Sequence, residues 1–125
     1  MDYNVVGWFE IPVTDMDRAL RFYENVFQVK MQRQQFGDED MAWFPFIEGK
    51  GASGSLVKQP EFYRPSKDGI LIYFTAPEGI TPELERVKEN GGTVLLDRKL
   101  IAEDIGYMAL FLDTEGNRIA LHSRQ

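Results

Sequence analysis

The feature that most constrains this chain is that its pattern is written twice. An extended run at 5–13 passes through Thr14-Asp15 into a helical stretch, and three extended runs follow near 29–36, 41–47 and 52–58. The order returns after residue 69. There an extended run at 70–76 precedes a helix from Thr81-Pro82 to the Asn90-Gly91-Gly92 stop, and extended runs follow at 93–97, 106–112 and 118–122. WFPFIEGKG (43–51) and MALFLDTEGN (108–117) both run from apolar residues into an acidic, glycine-bearing turn. A repeat of roughly 63–65 residues makes each half a strand-helix-three-strand unit. One such unit leaves its sheet poorly covered, so the two halves have to share a core or a cleft.

Local patterns fill in the units. Phe9, Ile11 and Val13 share one face of the first strand, and Trp8, Glu10 and Pro12 share the other. Met16, Ala19, Leu20, Tyr23, Val26 and Phe27 form an apolar stripe at helical spacing. Thr14 with Asp17 resembles a capping box, with Asp15 as the other candidate cap. Glu48-Gly49-Lys50-Gly51 predicts a hairpin between the runs at 41–47 and 52–58. Thr81-Pro82 reads as N-cap and first helical position, with Leu84 and Val87 facing inward. The stretch QPEFYRPSKDG, with two prolines and a glycine, reads as a linker. The expected organisation is one domain over 1–125, with units at about 4–58 and 69–123 and a linker at 59–68.

Composition removes several function classes. A net charge of −6 argues against a nucleic-acid or anionic-membrane partner. Cysteine is absent, which excludes disulfides, thiolate metal sites and cysteine nucleophiles. His122 is the single histidine, so no site within one chain can use several imidazoles. No apolar run approaches the ~20 residues that span a bilayer and no signal-peptide pattern opens the chain, so a cytoplasmic location is expected.

The stretch FEIPVTDMDRALRFYENVF, the C-terminal GYMALFLDTEGNRIALHS and the doubling together resemble the vicinal oxygen chelate superfamily. That superfamily includes glyoxalase I, extradiol dioxygenases, fosfomycin-resistance transferases and bleomycin-binding proteins, and the resemblance spans nearly the whole chain. It implies an α+β fold, in which paired βαβββ units make an eight-stranded, incompletely closed barrel-like cleft. Metal-binding members place four ligands, typically His or Gln, Glu, His and Glu, on the first and last strands of each unit. Carried over here, those positions hold Trp8, Gly54 or Ser55, Leu71 or Ile70, and Ala120. None of these suits a divalent cation, which wants nitrogen, thiolate or carboxylate ligands. The resemblance therefore implies a member without the metal site and without a cofactor. Relatives of this size also commonly associate, so a homodimer is expected.

Trp8 would then be a flat apolar wall with one indole donor, suited to a ring-bearing or partly apolar ligand. Glu10 would be a cleft carboxylate able to act as base, acid or cation binder, or else a surface glutamate. His122 shares the face of Ala120 and would contact the ligand or pair with Glu10; the bland reading is a histidine at a sheet edge near the C-terminus. Tyr73 and Thr75 share the face of Leu71, either as cleft hydroxyls or as cross-strand packing. Glu103-Asp104 lies in an expected 98–105 connection that covers the cleft or is a solvated loop. GKGASG lacks the strand-loop-helix context of a phosphate loop, and no Ser-His-Asp constellation is readable. The leading expectation is a metal-free protein that binds a small organic molecule, with sequestration of a toxic or antibiotic compound as one version. Trp8, Glu10, Ser55, Leu71, Tyr73, Ala120 and His122 would line the site. The alternative is a lyase or isomerase, either metal-free with Glu10 as catalytic base or with a relocated metal on Glu10 and His122.

Overall fold

A computed structural model of the chain describes residues 4–125. The elements are β1 (Trp8–Pro12), α1 (Met16–Phe27), β2 (Gln32–Phe36), β3 (Glu39–Trp43), β4 (Ser53–Lys58), β5 (Tyr73–Thr75), α2 (Ile80–Glu89), β6 (Thr93–Ala102), β7 (Gly106–Leu112) and β8 (Arg118–Ser123). They form two four-stranded sheets, ordered β1-β4-β3-β2 and β5-β8-β7-β6. In each sheet the first strand runs parallel to the last and the other pairs are antiparallel. The α+β architecture of two βαβββ units is thus as the sequence implies, and the eight strands do not close into a barrel. No helix among the described residues is long and apolar enough to cross a membrane.

The alternating face of β1 sets the inside. Ile11 pairs with Leu56 and Leu56 with Ala42, and all three are buried under α1. Met16, Ala19, Phe22, Tyr23 and Val26 bring the α1 stripe onto that row, in one cluster with Leu84, Val87, Phe111 and Leu121 of the second unit. The halves therefore bury their apolar faces against each other, the larger fully buried side chains contributing about 1.5–3 kcal/mol each. Phe9 and Phe74 meet edge to face with ring centroids 5.7 Å apart, one from the first strand of each unit. Gly54 permits this close approach, because a Cβ there would run into the Phe9 carbonyl oxygen and ring.

A polar cluster also ties the units. Buried Asp113 accepts from the Tyr23 hydroxyl at 2.6 Å, from the Asn117 amide side chain at 3.0 Å, and from the backbone N–H groups of Glu115 and Asn117. Burial pushes the Asp113 carboxyl up, and these hydrogen bonds pull it back; the Tyr23 hydroxyl is pushed well above its ordinary range by the same burial and by Asp113. Asn117 donates onward to the Pro12 carbonyl at 2.7 Å. Glu115 of the same turn receives the backbone N–H groups of Thr14 and Asp15 at 2.8 and 2.9 Å and the Arg18 guanidinium at 2.7 Å. The DTEGN turn of the second unit thus seats the start of the first unit's helix.

Several boundaries differ from the sequence expectation. Of the two expected caps it is Asp15 that serves α1, accepting from the Arg18 N–H at 3.1 Å, because the Thr14 hydroxyl is committed to Glu115. Helix α2 starts at Ile80 after Gly79; Ile80 is fully buried and extends the apolar face, while Pro82 sits in the first turn, where no N–H is needed. The expected hairpin across 48–51 forms, since β3 and β4 pair antiparallel, but β3 ends at Trp43 and its loop runs over 44–52; a tighter hairpin lies at Gly37, φ +62°, between β2 and β3. Strand β5 is confined to Tyr73–Thr75, and Ile70 is 92% exposed. Strand β6 runs on to Ala102, with Lys99 opposite Met108 and Leu100 opposite Tyr107, so the expected 98–105 connection is reduced to a turn at Glu103-Asp104. Arg98 stacks 3.6 Å over the Tyr107 ring, which lets a basic residue serve as strand surface.

Candidate functional site

Corresponding backbone bonds superimpose the two units. The Val13 N–H donates to the Val57 carbonyl at 2.9 Å, and the Ala76 N–H to the His122 carbonyl at 2.8 Å. Counting back, Trp8 corresponds to Leu71, Glu10 to Tyr73 and Ser55 to Ala120. The pairings Glu10–Ser55 and Tyr73–Ala120 follow the same register. These residues lie on the sheet faces turned away from the helices, whereas Gly54 packs on Phe9 on the other face.

Between the first strands of the two units runs a cleft of about 770 Å³, walled by Trp8, Ile70, Leu71 and Tyr73, with Glu10, Arg64 and Arg118 as its charged groups. Trp8 is 40% exposed and meets Trp43 edge to face, centroids 5.8 Å apart. Ser55 and Ala120 are fully buried, so they lie beneath the surface of this face and not at its opening. Trp43 is opposite Ser55 across β3 and β4, and its Nε1 and the Ser55 Oγ are both buried without a partner.

The segment expected to be a linker is part of the site. Gln59 accepts the Phe62 and Tyr63 N–H groups through its carbonyl, folding the chain back. Tyr63 then donates its hydroxyl to Glu10 Oε1 at 2.6 Å, and that contact pushes the Tyr63 hydroxyl up to about 12. Tyr63 therefore remains a proton donor at every physiological pH, leaving Glu10 Oε2 for another partner. The Ser66 N–H donates to Asn117 Oδ1 at 3.1 Å, anchoring the far end. Tyr63, Arg64, Trp43 and Arg118 were all missed by sequence reasoning. The one available signal was the pair of aromatics in EFYRP, unusual for a solvated connection.

His122 faces the same way as Ala120, between Thr75 and Met108, but its Nε2 lies 2.8 Å from the Ile105 carbonyl oxygen. A carbonyl can only accept, so that nitrogen carries the proton and is not free to ligate a metal. Glu10 and His122 form no ion pair, and the expected contact between them is not made. Among the described residues no three His, Asp or Glu side chains converge as metal ligands. The residues at the four family positions, an indole, a hydroxyl, an isobutyl and a methyl, do not fit a divalent cation.

Residues 5–121 match the family described as the Glyoxalase/Bleomycin resistance protein/Dioxygenase superfamily. A glyoxylase-like domain-containing protein from Didymella fabae is 28% identical over 126 residues, covering 98% of this chain and 95% of its own. Hypothetical protein SA1046 from S. aureus superimposes with a TM-score of 0.73 at 20% identity, covering 97% of this chain and 95% of its own. TnmS3, an antibiotic binding protein from Streptomyces sp. CB03234, superimposes with a TM-score of 0.69 at 22% identity, covering 100% and 99%.

Proposed function

The chain belongs to the glyoxalase/bleomycin resistance protein/dioxygenase superfamily, and from that premise we propose that it is a metal-free, cytoplasmic protein that binds a small organic molecule in the cleft between its units. The observation that carries this reading is the replacement of all four family ligand positions by Trp8, Ser55, Leu71 and Ala120 beside an open, largely apolar cleft. Trp8, Leu71 and Tyr73 offer flat and aliphatic walls to a ring-bearing ligand. Glu10 is its polar anchor. With one oxygen already accepting from Tyr63, Glu10 suits a donor on the ligand better than it suits proton abstraction. Arg64 and Arg118 supply the opposite charge at the rim. Sequestration of a toxic or antibiotic compound is the concrete version, in keeping with the likeness to TnmS3, an antibiotic binding protein. His122 does not line the cleft, and its Nε2 donates to the Ile105 carbonyl.

The test is a fluorescence titration of chelator-dialysed protein with a panel of planar antibiotics. At least one should change the indole emission saturably, and Trp8→Ala should weaken that ligand by about tenfold or more while costing little stability. Retention of full affinity by Trp8→Ala, or binding that appears only when a metal is restored, would remove the reading.

The same reading includes a homodimer. Leu100, Ile101 and Ile105 are each more than 40% exposed along β6 and the turn after it, at the free edge of the second sheet. An apolar edge strand of this kind is ordinarily covered by a partner. Light scattering at tens of micromolar, where specific dimers persist, should return twice the 14.4 kDa chain mass; a monomer there counts against the dimer.

A further inference from the structure

A second cavity of about 430 Å³ opens where the end of α1 and the start of α2 approach the first strands of the two units. Its apolar wall is aromatic. Phe27 and Phe74 stack with centroids 4.4 Å apart, and Phe9 and Phe44 complete the cluster at 5.6 Å from each other. Its polar wall holds Glu83, whose side chain is 7% exposed. Glu83 Oε1 has only a loose contact with Arg86 at 3.8 Å, and Oε2 is buried with no partner at all. Arg86 is held in place by its Nε–H, which donates to the Val26 carbonyl at 2.7 Å, and from there its guanidinium does not reach Glu83 Oε2. The remaining charged residue of the wall is Glu78, so acid exceeds base there.

A buried carboxylate oxygen without a donor costs free energy unless something donates to it. Glu83 stands in the first turn of α2, where the helix dipole favours an acid, but on the buried face beside Ile80, Leu84 and Val87 an apolar residue would serve packing better. The aromatic faces attract a cation or an apolar body, and the carboxylate completes recognition of positive charge. We propose that this cavity is a binding site for a small organic amine in its ammonium form, with Glu83 as the counter-charge and the Phe27–Phe74 stack as the apolar wall. The site adjoins the cleft, sharing Phe9, Ala52, Ile72 and Tyr73 with it, but Trp8, Glu10, Arg64 and Arg118 line only the cleft, and Glu83 and Phe27 line only this cavity.

Burial pushes the Glu83 carboxyl up to about 7, with Glu78 adding to the rise and Arg86 opposing it, so the assay is made at pH 8, where the carboxylate is ionised. The full chain is titrated calorimetrically with phenethylammonium chloride and, separately, with 3-phenylpropionate, which has the same ring and chain length with opposite charge. Saturable binding of the ammonium, at least about tenfold tighter than the carboxylate, is expected. Glu83→Gln should weaken the ammonium by about tenfold or more, and Trp8→Ala should leave it unchanged. The proposal is overturned if the ammonium does not bind, if the carboxylate binds equally well, or if Trp8→Ala abolishes the signal. Equal affinity in a folded Glu83→Gln variant overturns it too. Should that variant fail to fold, the comparison of the two probes is made on Trp8→Ala, whose cleft has lost its aromatic wall: an ammonium preference that persists there supports the proposal, and its loss overturns it.

Discussion

Asp113→Ala should lower stability by about 3–5 kcal/mol, the usual cost of stripping one partner from a buried charged network. The carboxylate serves four donors at once: the Tyr23 hydroxyl, the Asn117 side chain and two backbone N–H groups. An alanine leaves those donors buried and unpaired, and each orphan costs about 1–3 kcal/mol before relaxation. Tyr23→Phe removes only one donor and should cost about 1 kcal/mol, with Asp113 still holding its turn. Urea unfolding of the three proteins decides the matter. A loss below about 1 kcal/mol for Asp113→Ala would mean that the turn closes without its carboxylate.

Glu115→Gln should cost about 2 kcal/mol at pH 7 and almost nothing near pH 2. Hydrogen bonds from Arg18, Asp15 and Thr14 outweigh burial and hold the Glu115 carboxyl at about 2, against an ordinary 4.5. A carboxyl lowered in the folded state stabilises the fold fully above 4.5, and that contribution disappears as pH falls from 4.5 through 2. The shift converts to a ceiling of about 3 kcal/mol, reduced here because the Arg18 side chain is 44% exposed and solvent screens the pair. The quantity to follow is the difference between the two proteins across that pH range. A difference independent of pH would show that Glu115 acts through shape and not through charge.

The parts of this molecule that could be read from sequence were those whose periodicity survives without tertiary context. Phe9, Ile11 and Val13 alternate because the strand buries one face, and the α1 stripe recurs because a helix does. The doubling supplied the rest of the architecture. Exposed strand was not legible: Arg98 and Lys99 interrupt any alternation, and only the Tyr107 ring beneath Arg98 shows why the strand continues. Residues 59–69 were unreadable for a different reason. Pro60 and Pro65 announce that regular structure stops, but they do not say where the chain goes, and Tyr63 reaches Glu10 across 53 residues of sequence. Glu83 was equally hidden. Its residue type suggests a solvated glutamate, although its spacing from Ile80 and Val87 puts it on the inward face, where it is buried. The sequence did place Glu10 and Trp8 together on one face; the partner expected for Glu10 was His122, and the partner found is Tyr63.

The stitching of the DTEGN turn onto the opening of α1 has a consequence for how the molecule moves. Asn117 holds the Pro12 carbonyl, Glu115 holds Thr14 and Asp15, and Asp113 holds Tyr23, so residues about 100 positions apart in the chain are fastened at one end of the cleft. Such a molecule has no hinge between its halves. Neither half can open while the other stays native, and amide protons in both should exchange with solvent in a single global event. Entry to the open cleft then requires no separation of the two units, whose fastened end keeps Trp8 and Leu71 at a fixed spacing.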